Sequence, residues 1–462
     1  MIEIAVVLGV LFSVACISYA VAHSISLGRV TMLDWALLGA AGVYGCGWII
    51  VMLHTESGGN PTWQNWLLPF TAYYPIYSLC CFVMALSLVF GWSAFGTKVK
   101  IGRNQDLMCC RLEKEGQLVA VSWCLLIAAV IGQWLYARAY GGMMGVFQYS
   151  ILIRSAAFEQ VPSNPLSFLH PIGGLSLFAS FGFYGQVLSG TSKPRHVLGL
   201  VLSVLFSLSI LFSWMGRIAI VMYPMTLVLG TVLFGRWRPT TVILAVLTSM
   251  VIMVGSTYLL SKALQLKFSD GVFPFLAREL SFPPVSFFAQ MESGEHVFRG
   301  FKDLIASPVF LLPSSIWTDF TESVSHVNTE VILGARKGEH GVTGGIPVDL
   351  ITLGFMQAWV PGIVVVGFLF GGGLRIIQGF LDRLALPGFR SVLEAYIALK
   401  VAVLGLYYSQ PDLLVSSNFT LIVAFTITYL VVGRGSDRQI RTGGGLQATS
   451  ARGTGAIRRA DD

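Results

Sequence analysis

The chain reads as an all-α polytopic membrane protein, and three observations lead there. Only 11% of its 462 residues are charged while 55% are hydrophobic, against about 25% charged in a soluble domain. The apolar residues gather into runs near the ~20 residues that a helix needs to cross hydrocarbon. Many of the basic residues fall in short segments between those runs, where they set topology. Mean hydropathy is +0.72, so lipid must replace water around most of the chain.

Eleven runs of spanning length lie near 2–22, 34–53, 69–91, 118–137, 171–190, 197–214, 218–235, 240–261, 356–374, 391–409 and 415–433. The first, Ile2 to Ala22, has no basic leading segment and no A-x-A site. It reads as a retained helix and not a signal peptide. Interior Gly and Pro do not break the other runs, because lipid-embedded helices tolerate them. Only Met215, Gly216 and Arg217 separate the sixth run from the seventh, so two helices or one long bent helix both fit.

Positive charge then assigns the sides. Lys98, Lys100, Arg103, Arg111 and Lys114 place 92–117 in the cytoplasm. Alternation puts Arg29, Lys193, Arg195, Arg236, Arg238, Arg375, Arg383 and Arg390 on the same side, with the N-terminus periplasmic and the C-terminus cytoplasmic. One transmembrane domain covers 1–433. The tail 434–462 is rich in Gly, Arg, Thr and Ser and reads as a disordered, basic, cytoplasmic segment with no core to bury. The net charge of +7 is spread over these connections, which argues against a nucleic-acid-binding face. The seven cysteines leave the long loop without disulfides, and the adjacent pairs Cys80–Cys81 and Cys109–Cys110 lack zinc-site spacing. No metal or cofactor is expected.

Two outside segments are long, a moderate loop at 138–170 and a large one at 263–350. A structureless connection of that length is uncommon and usually functional. Phe273-Pro274-Phe275-Leu276, Phe287-Phe288 and the apolar stretch from Leu304 to Trp317 predict a partly helical periplasmic loop, with short amphipathic or re-entrant helices at the outer membrane surface. Near its end lie His326, Glu330, Arg336, Lys337, Glu339, His340, Gly344, Gly345 and Asp349. The glycines allow tight turns and close backbone approach, and N–H groups beside Arg and Lys make an anion cradle.

Three more basic residues stand out: Arg154, closing the apolar stretch Val146 to Ile153, Arg217 between two runs, and Lys400 inside the tenth. Ionisable groups at membrane depth normally face a cavity or a partner. Guanidinium stays charged and matches phosphate oxygens bidentately, although snorkelling to headgroups explains the same positions. Glu394 is a possible structural partner for Lys400, at a poor helical spacing. The sequence contains no H-E-x-x-H, G-x-S-x-G, Walker A or D-x-D motif. An outside site has no ATP or nucleotide sugar, so its substrate must arrive activated on a lipid.

Three segments resemble the O-antigen and oligosaccharide repeat-unit polymerases of the Wzy type. They are Gly344-Gly345-Ile346-Pro347-Val348-Asp349 running on to Gln357 and Gly362, Ala139-Tyr140-Gly141-Gly142 with Arg154 downstream, and Gly216-Arg217 opening a helix. Two departures are visible. Where many members carry an acidic residue and a Tyr one turn into the helix, this chain has Asp349, Thr352 and Phe355. An Arg followed eleven residues later by Gly is also absent, since Pro165 and Pro347 stand there. The related O-antigen ligases share the architecture, and His326-Val327-Asn328 echoes their loop motif.

The resemblance implies a metal-independent membrane glycosyltransferase of the bacterial inner membrane. It would polymerise undecaprenyl-diphosphate-linked oligosaccharide repeat units for lipopolysaccharide or a similar surface polysaccharide, beside a chain-length regulator. Arg154, Arg217 and Arg336 would hold the diphosphate, with His326, Gly344 and Gly345 in the binding segment. His340, Glu330 or Asp349 would act as general base. A flippase or transporter, and a scaffold with a receptor-like cap, are the rivals from other classes.

Overall fold

The computed structural model describes residues 1–58, 66–96, 107–154, 161–214, 217–235, 237–263, 272–293, 298–311, 322–335, 342, 345–411 and 418–433. Every regular element among them is helical. In chain order these are α1 (Ile2–Leu27), α2 (Met32–Glu56), α3 (Leu68–Ala94), α4 (Leu107–Arg138), α5 (Met143–Arg154), α6 (Leu175–Leu188), α7 (Pro194–Ser213), α8 (Arg217–Phe234) and α9 (Pro239–Ala263). Then come α10 (Val272–Leu280), α11 (Phe282–Ser293), α12 (Val324–Leu333), α13 (Leu350–Asp382), α14 (Pro387–Ile397) and α15 (Phe419–Thr428). The helix begun by α14 continues through a π-helical stretch, Ala398–Val403, to Leu404–Tyr407.

Among the described residues, six helical segments are long and apolar enough to cross a membrane: α1, α2, α3, the Lys114–Arg138 part of α4, α7 and α13. Ile218–Phe234, Pro239–Ser249 and Phe419–Val432 are shorter apolar helices. Leu86, Phe90, Leu205, Leu244 and Leu369 remain exposed on these helices, as apolar side chains facing lipid would be. The interior is tied by close backbone approach where α13 packs along α3. A Cβ on Gly91 would lie 2.0 Å from the Phe368 carbonyl oxygen, and one on Gly371 2.0 Å from that of Leu88. No larger residue fits there, and small residues are what let apolar helices meet without a hydrophobic drive.

Several features differ from the sequence expectation. The run at 356–374 is not one straight helix: α13 starts at Leu350 and breaks at Ala358 and Trp359, where Trp359 takes φ 55° and ψ −139°. Beyond the break the helix folds back on its first two turns, and a Cβ on Gly362 would sit 2.0 Å from the Gly354 carbonyl oxygen. Hydropathy cannot register a reversal between two apolar segments. At the Met215–Arg217 seam, by contrast, one of the two readings the sequence left open is met: α7 ends at Ser213 and α8 opens at Arg217. Phe287 and Phe288 lie in the bundle core, not at a membrane surface: α11 is buried from Pro283 to Gln290, and Phe288 stacks on Phe70 and Tyr74. Residues 434–462 lie outside the described part.

An ionic network closes one end of the bundle. Arg29, in the α1–α2 connection, holds the Asp382 carboxylate bidentately at 2.7 and 2.8 Å. Arg390 donates to the same carboxylate and lies 3.8 Å from Glu394. Gln378 Nε2 donates to Asp382 and Glu394, each at 3.2 Å, while its Oε1 accepts from Met32 N at 3.0 Å. Glu394 is thus engaged by Gln378 and Arg390, and no bond joins it to Lys400, which lies in the π-helical stretch.

Candidate functional site

The polar end of the long loop forms a neutral hydrogen-bonded knot. Asn328, on α12 and fully buried, accepts from Gln290 Nε2 at 3.1 Å and donates to Ser286 Oγ at 2.9 Å. Its amide also reaches the Pro347 carbonyl at 3.3 Å. Thr329 Oγ1 accepts from Ile346 N at 2.8 Å. These bonds fasten α11, α12 and the extended segment 345–349 together. Each partner is a group that could not be buried alone without a cost of about 1–3 kcal/mol.

His326 is half-buried on α12 and Glu330 is exposed two residues beyond Asn328. Gly345 is exposed, and a Cβ there would sit 3.7 Å from both Ser325 Oγ and Thr329 Oγ1. Asp349 is 1% exposed and N-caps α13, accepting from Ile351 N at 3.1 Å and Thr352 N at 3.4 Å. Burial pushes its carboxyl up to about 6, against the opposing pull of hydrogen bonds from Thr352 and Ile351. Around it, Leu350 N donates to Tyr44 Oη at 3.3 Å, and Ser409 N donates to the Val348 carbonyl at 2.8 Å. Segment 345–349 is therefore pinned on one side by the loop helices and on the other by α2 and the residues after Tyr407.

Arg336, His340 and Gly344 lie outside the described residues. The backbone of Arg154 closes α5 and that of Arg217 opens α8; their side chains lie outside the described part. Helix α5 packs against α7, and α7 ends four residues before Arg217.

A cavity of about 440 Å³ lies beside Arg217. Its wall includes Ile218, the next residue, together with Phe275, Leu276 and Leu280 of α10 and Tyr407 and Tyr408. Two π-helical stretches face it: Ala41–Gly47 contributes Gly42, Val43, Cys46 and Gly47, and Ala398–Val403 contributes Val403. Such π-turns cost helix regularity and occur often at functional sites. A Cβ on Gly42 or Gly255 would meet nothing within 4 Å. These two glycines are not required by packing, and their missing side chains keep the cavity open. Tyr407 links it to the loop, since its hydroxyl donates to the Glu279 carbonyl.

Two groups escaped the sequence reading. His170 lies between Tyr136 and Trp214, with ring centroids 4.8 and 5.6 Å away. Burial lowers its imidazole to about 4, so it is neutral at working pH and anchors the smaller loop against the end of α7. Nothing in its flanking residues marks it. Asp303 is fully buried. It receives Arg299 bidentately at 2.7 and 2.8 Å and Gln357 Nε2 at 2.7 Å. Arg299 N and Gly300 N cap the Met356 and Gln357 carbonyls freed at the break in α13. The i,i+4 spacing of Arg299 and Asp303 was the available signal, yet their partner Gln357 is fifty-four residues from Asp303.

The class that fold and site define is an all-helical protein with several helices able to cross a membrane and an apolar cavity walled partly by loop helices. No family model, no curated protein and no solved structure matches the chain.

Proposed function

We propose that the chain is a lipid-linked oligosaccharide polymerase, a metal-independent glycosyltransferase working at the periplasmic face of the bacterial inner membrane. The proposal takes eleven crossings, with the N-terminus periplasmic and the C-terminus cytoplasmic. The observation that carries it is the apolar cavity whose wall includes Ile218, immediately after Arg217. An isoprenoid entering from the bilayer would find a glycine-opened slot with a guanidinium-bearing position at its edge.

In the reaction, the bond between the anomeric carbon of the growing glycan and the diphosphate oxygen breaks. A hydroxyl of the incoming lipid-linked repeat unit forms the new bond to that carbon, and undecaprenyl diphosphate leaves with the bonding electrons. Arg154, Arg217 and Arg336 would stabilise the charge growing on the leaving group. The hydroxyl proton would pass to His340, Glu330 or Asp349. Histidine suits this because its reference pKa of about 6.5 is close to working pH.

A flippase is the second reading, and one observation favours it. A second cavity of about 670 Å³ lies along the same helices, lined by Leu233 and Phe234 of α8, Val242 of α9 and Glu394 of α14. Gly39 packs against Val403 on the wall of the first cavity, and Gly230 packs against Val392.

Complementation of a deletion strain separates the readings. Arg217→Ala and Gly255→Leu are expected to abolish long-chain surface polysaccharide, while single lipid-linked units accumulate at the outer leaflet. Loss of those units from the outer leaflet would instead establish a flippase. Undiminished polymer in both variants would remove the cavity from the site.

A further inference from the structure

The 670 Å³ cavity has no part in the proposed transfer. It lies where three connections meet helix starts: Gly28 to Val30 between α1 and α2, Trp237 before α9 with Pro239 opening it, and Leu384 before α14 with Pro387, Arg390 and Ser391 on its first turns. Val242 on its wall is nine residues along α9 from Val251 of the other cavity, a rise of about 13 Å. The two cavities are thus separate sites near opposite ends of shared helices.

Its chemistry is divided. Leu233, Phe234, Val242, Leu384 and Pro387 make apolar walls, and Arg29 and Arg390 supply the cationic edge. Asp382 takes only part of each guanidinium, through Nη1 and Nη2 of Arg29 and Nη2 of Arg390. Guanidinium carries five N–H donors in a fixed fork. Among the described residues, Nε of Arg29 and Nη1 of Arg390 have no hydrogen-bond acceptor. Asp382 holds the two guanidiniums in place, and Glu394 is occupied by Gln378 Nε2 at 3.2 Å. Trp237, 56% exposed, stands at the rim, a residue whose amphipathic ring favours the headgroup level of a bilayer.

We infer that this cavity is a binding site for the phosphate headgroup of an anionic phospholipid, with the two arginines on the phosphate and the first acyl carbons against Leu233, Phe234 and Val242. The guanidinium N–H donors that Asp382 leaves unused favour phosphate oxygens, and the exposed apolar side chains that continue along the same helices, Val228 and Leu244, favour a lipid over a free ion. The site requires neither the polymerase nor the flippase reading.

The test uses the full chain, purified in neutral detergent and exposed to phosphatidylglycerol or phosphatidylcholine, with retained lipid counted by native mass spectrometry. One phosphatidylglycerol per chain is expected, retained about tenfold over phosphatidylcholine. Arg390→Gln is expected to bring that ratio close to one. Because this substitution also touches the Asp382 network, Ser391→Trp serves as the second variant: it fills the cavity wall, leaves every charge, and is expected to expel the lipid without changing the melting temperature of lipid-free protein. Equal retention of the two lipids, or unchanged retention in folded Ser391→Trp protein, overturns the inference. Full displacement by millimolar inorganic phosphate overturns it too, by revealing a site for the free ion.

Discussion

Two polar regions of the molecule, the Arg29 end and the surroundings of Asn328, are built from opposite chemistry. At the Arg29 end, charged groups hold the helices: Asp382 between two arginines, with Glu394 beside them. Around Asn328 in the long loop, neutral amides and hydroxyls do the equivalent work, with His326 and Glu330 flanking it on α12 and the buried Arg299–Asp303 pair elsewhere in the loop. Ion pairs at a half-exposed site are screened and worth little individually, whereas a hydrogen-bonded network in a dry interior loses much if any member goes; in this one Gln290 Oε1 has no partner among the described residues. The first arrangement tolerates a polar ligand arriving among its charges. The second fixes a backbone segment in one conformation, as a site assembled from distant pieces requires.

Substitutions can break this contrast, and the largest effect is expected at Asn328. Asn328→Ala leaves Gln290 Nε2 unpaired in a buried place, while Ser286 Oγ still donates to the Pro347 carbonyl. It should cost about 2–3 kcal/mol, read as a lower melting temperature that added salt does not change.

Next comes Asp349. A carboxyl held above its ordinary value of about 4 binds its proton more tightly in the folded state. Its stabilisation is full below about pH 4 and is lost as pH rises through about 6. The melting temperature should therefore fall across that window, by the equivalent of about 1–3 kcal/mol. Asp349→Asn should flatten the slope, and an unchanged slope would show that another group titrates.

Asp382→Asn is expected to cost less, about 1–2 kcal/mol, because Arg29 and Arg390 remain partly solvated. This loss should shrink as salt is raised, in contrast to Asn328→Ala. Trp359→Gly gives the smallest change and the opposite sign. Its φ of 55° suits glycine, and its ring is 58% exposed, so a gain of about 0.5–1 kcal/mol is expected in the same melting measurement.

Much of the helical framework was legible because hydropathy is additive along a chain. Ile2 to Ala22 needed no partner to be read as a helix, and α1 runs Ile2–Leu27. The start of α8 at Arg217 was one of the two readings the seam allowed. The site was legible only as an inventory. Asn328 was noticed for a motif it echoes, but its partners Gln290 and Ser286 lie thirty-eight and forty-two residues away. His170 went unnoticed because its neutral state depends on burial among Tyr136 and Trp214.

The sequence by itself determined an all-helical, lipid-suited chain, since composition and run length act locally on every segment. Only the tertiary structure decided that α13 doubles back at Ala358–Trp359, that Phe287 and Phe288 enter the core, and that Ile218, Phe275 and Tyr407 share one cavity. Those outcomes depend on which surfaces meet. A run of apolar residues is equally content against lipid or against another helix, and packing alone makes the choice.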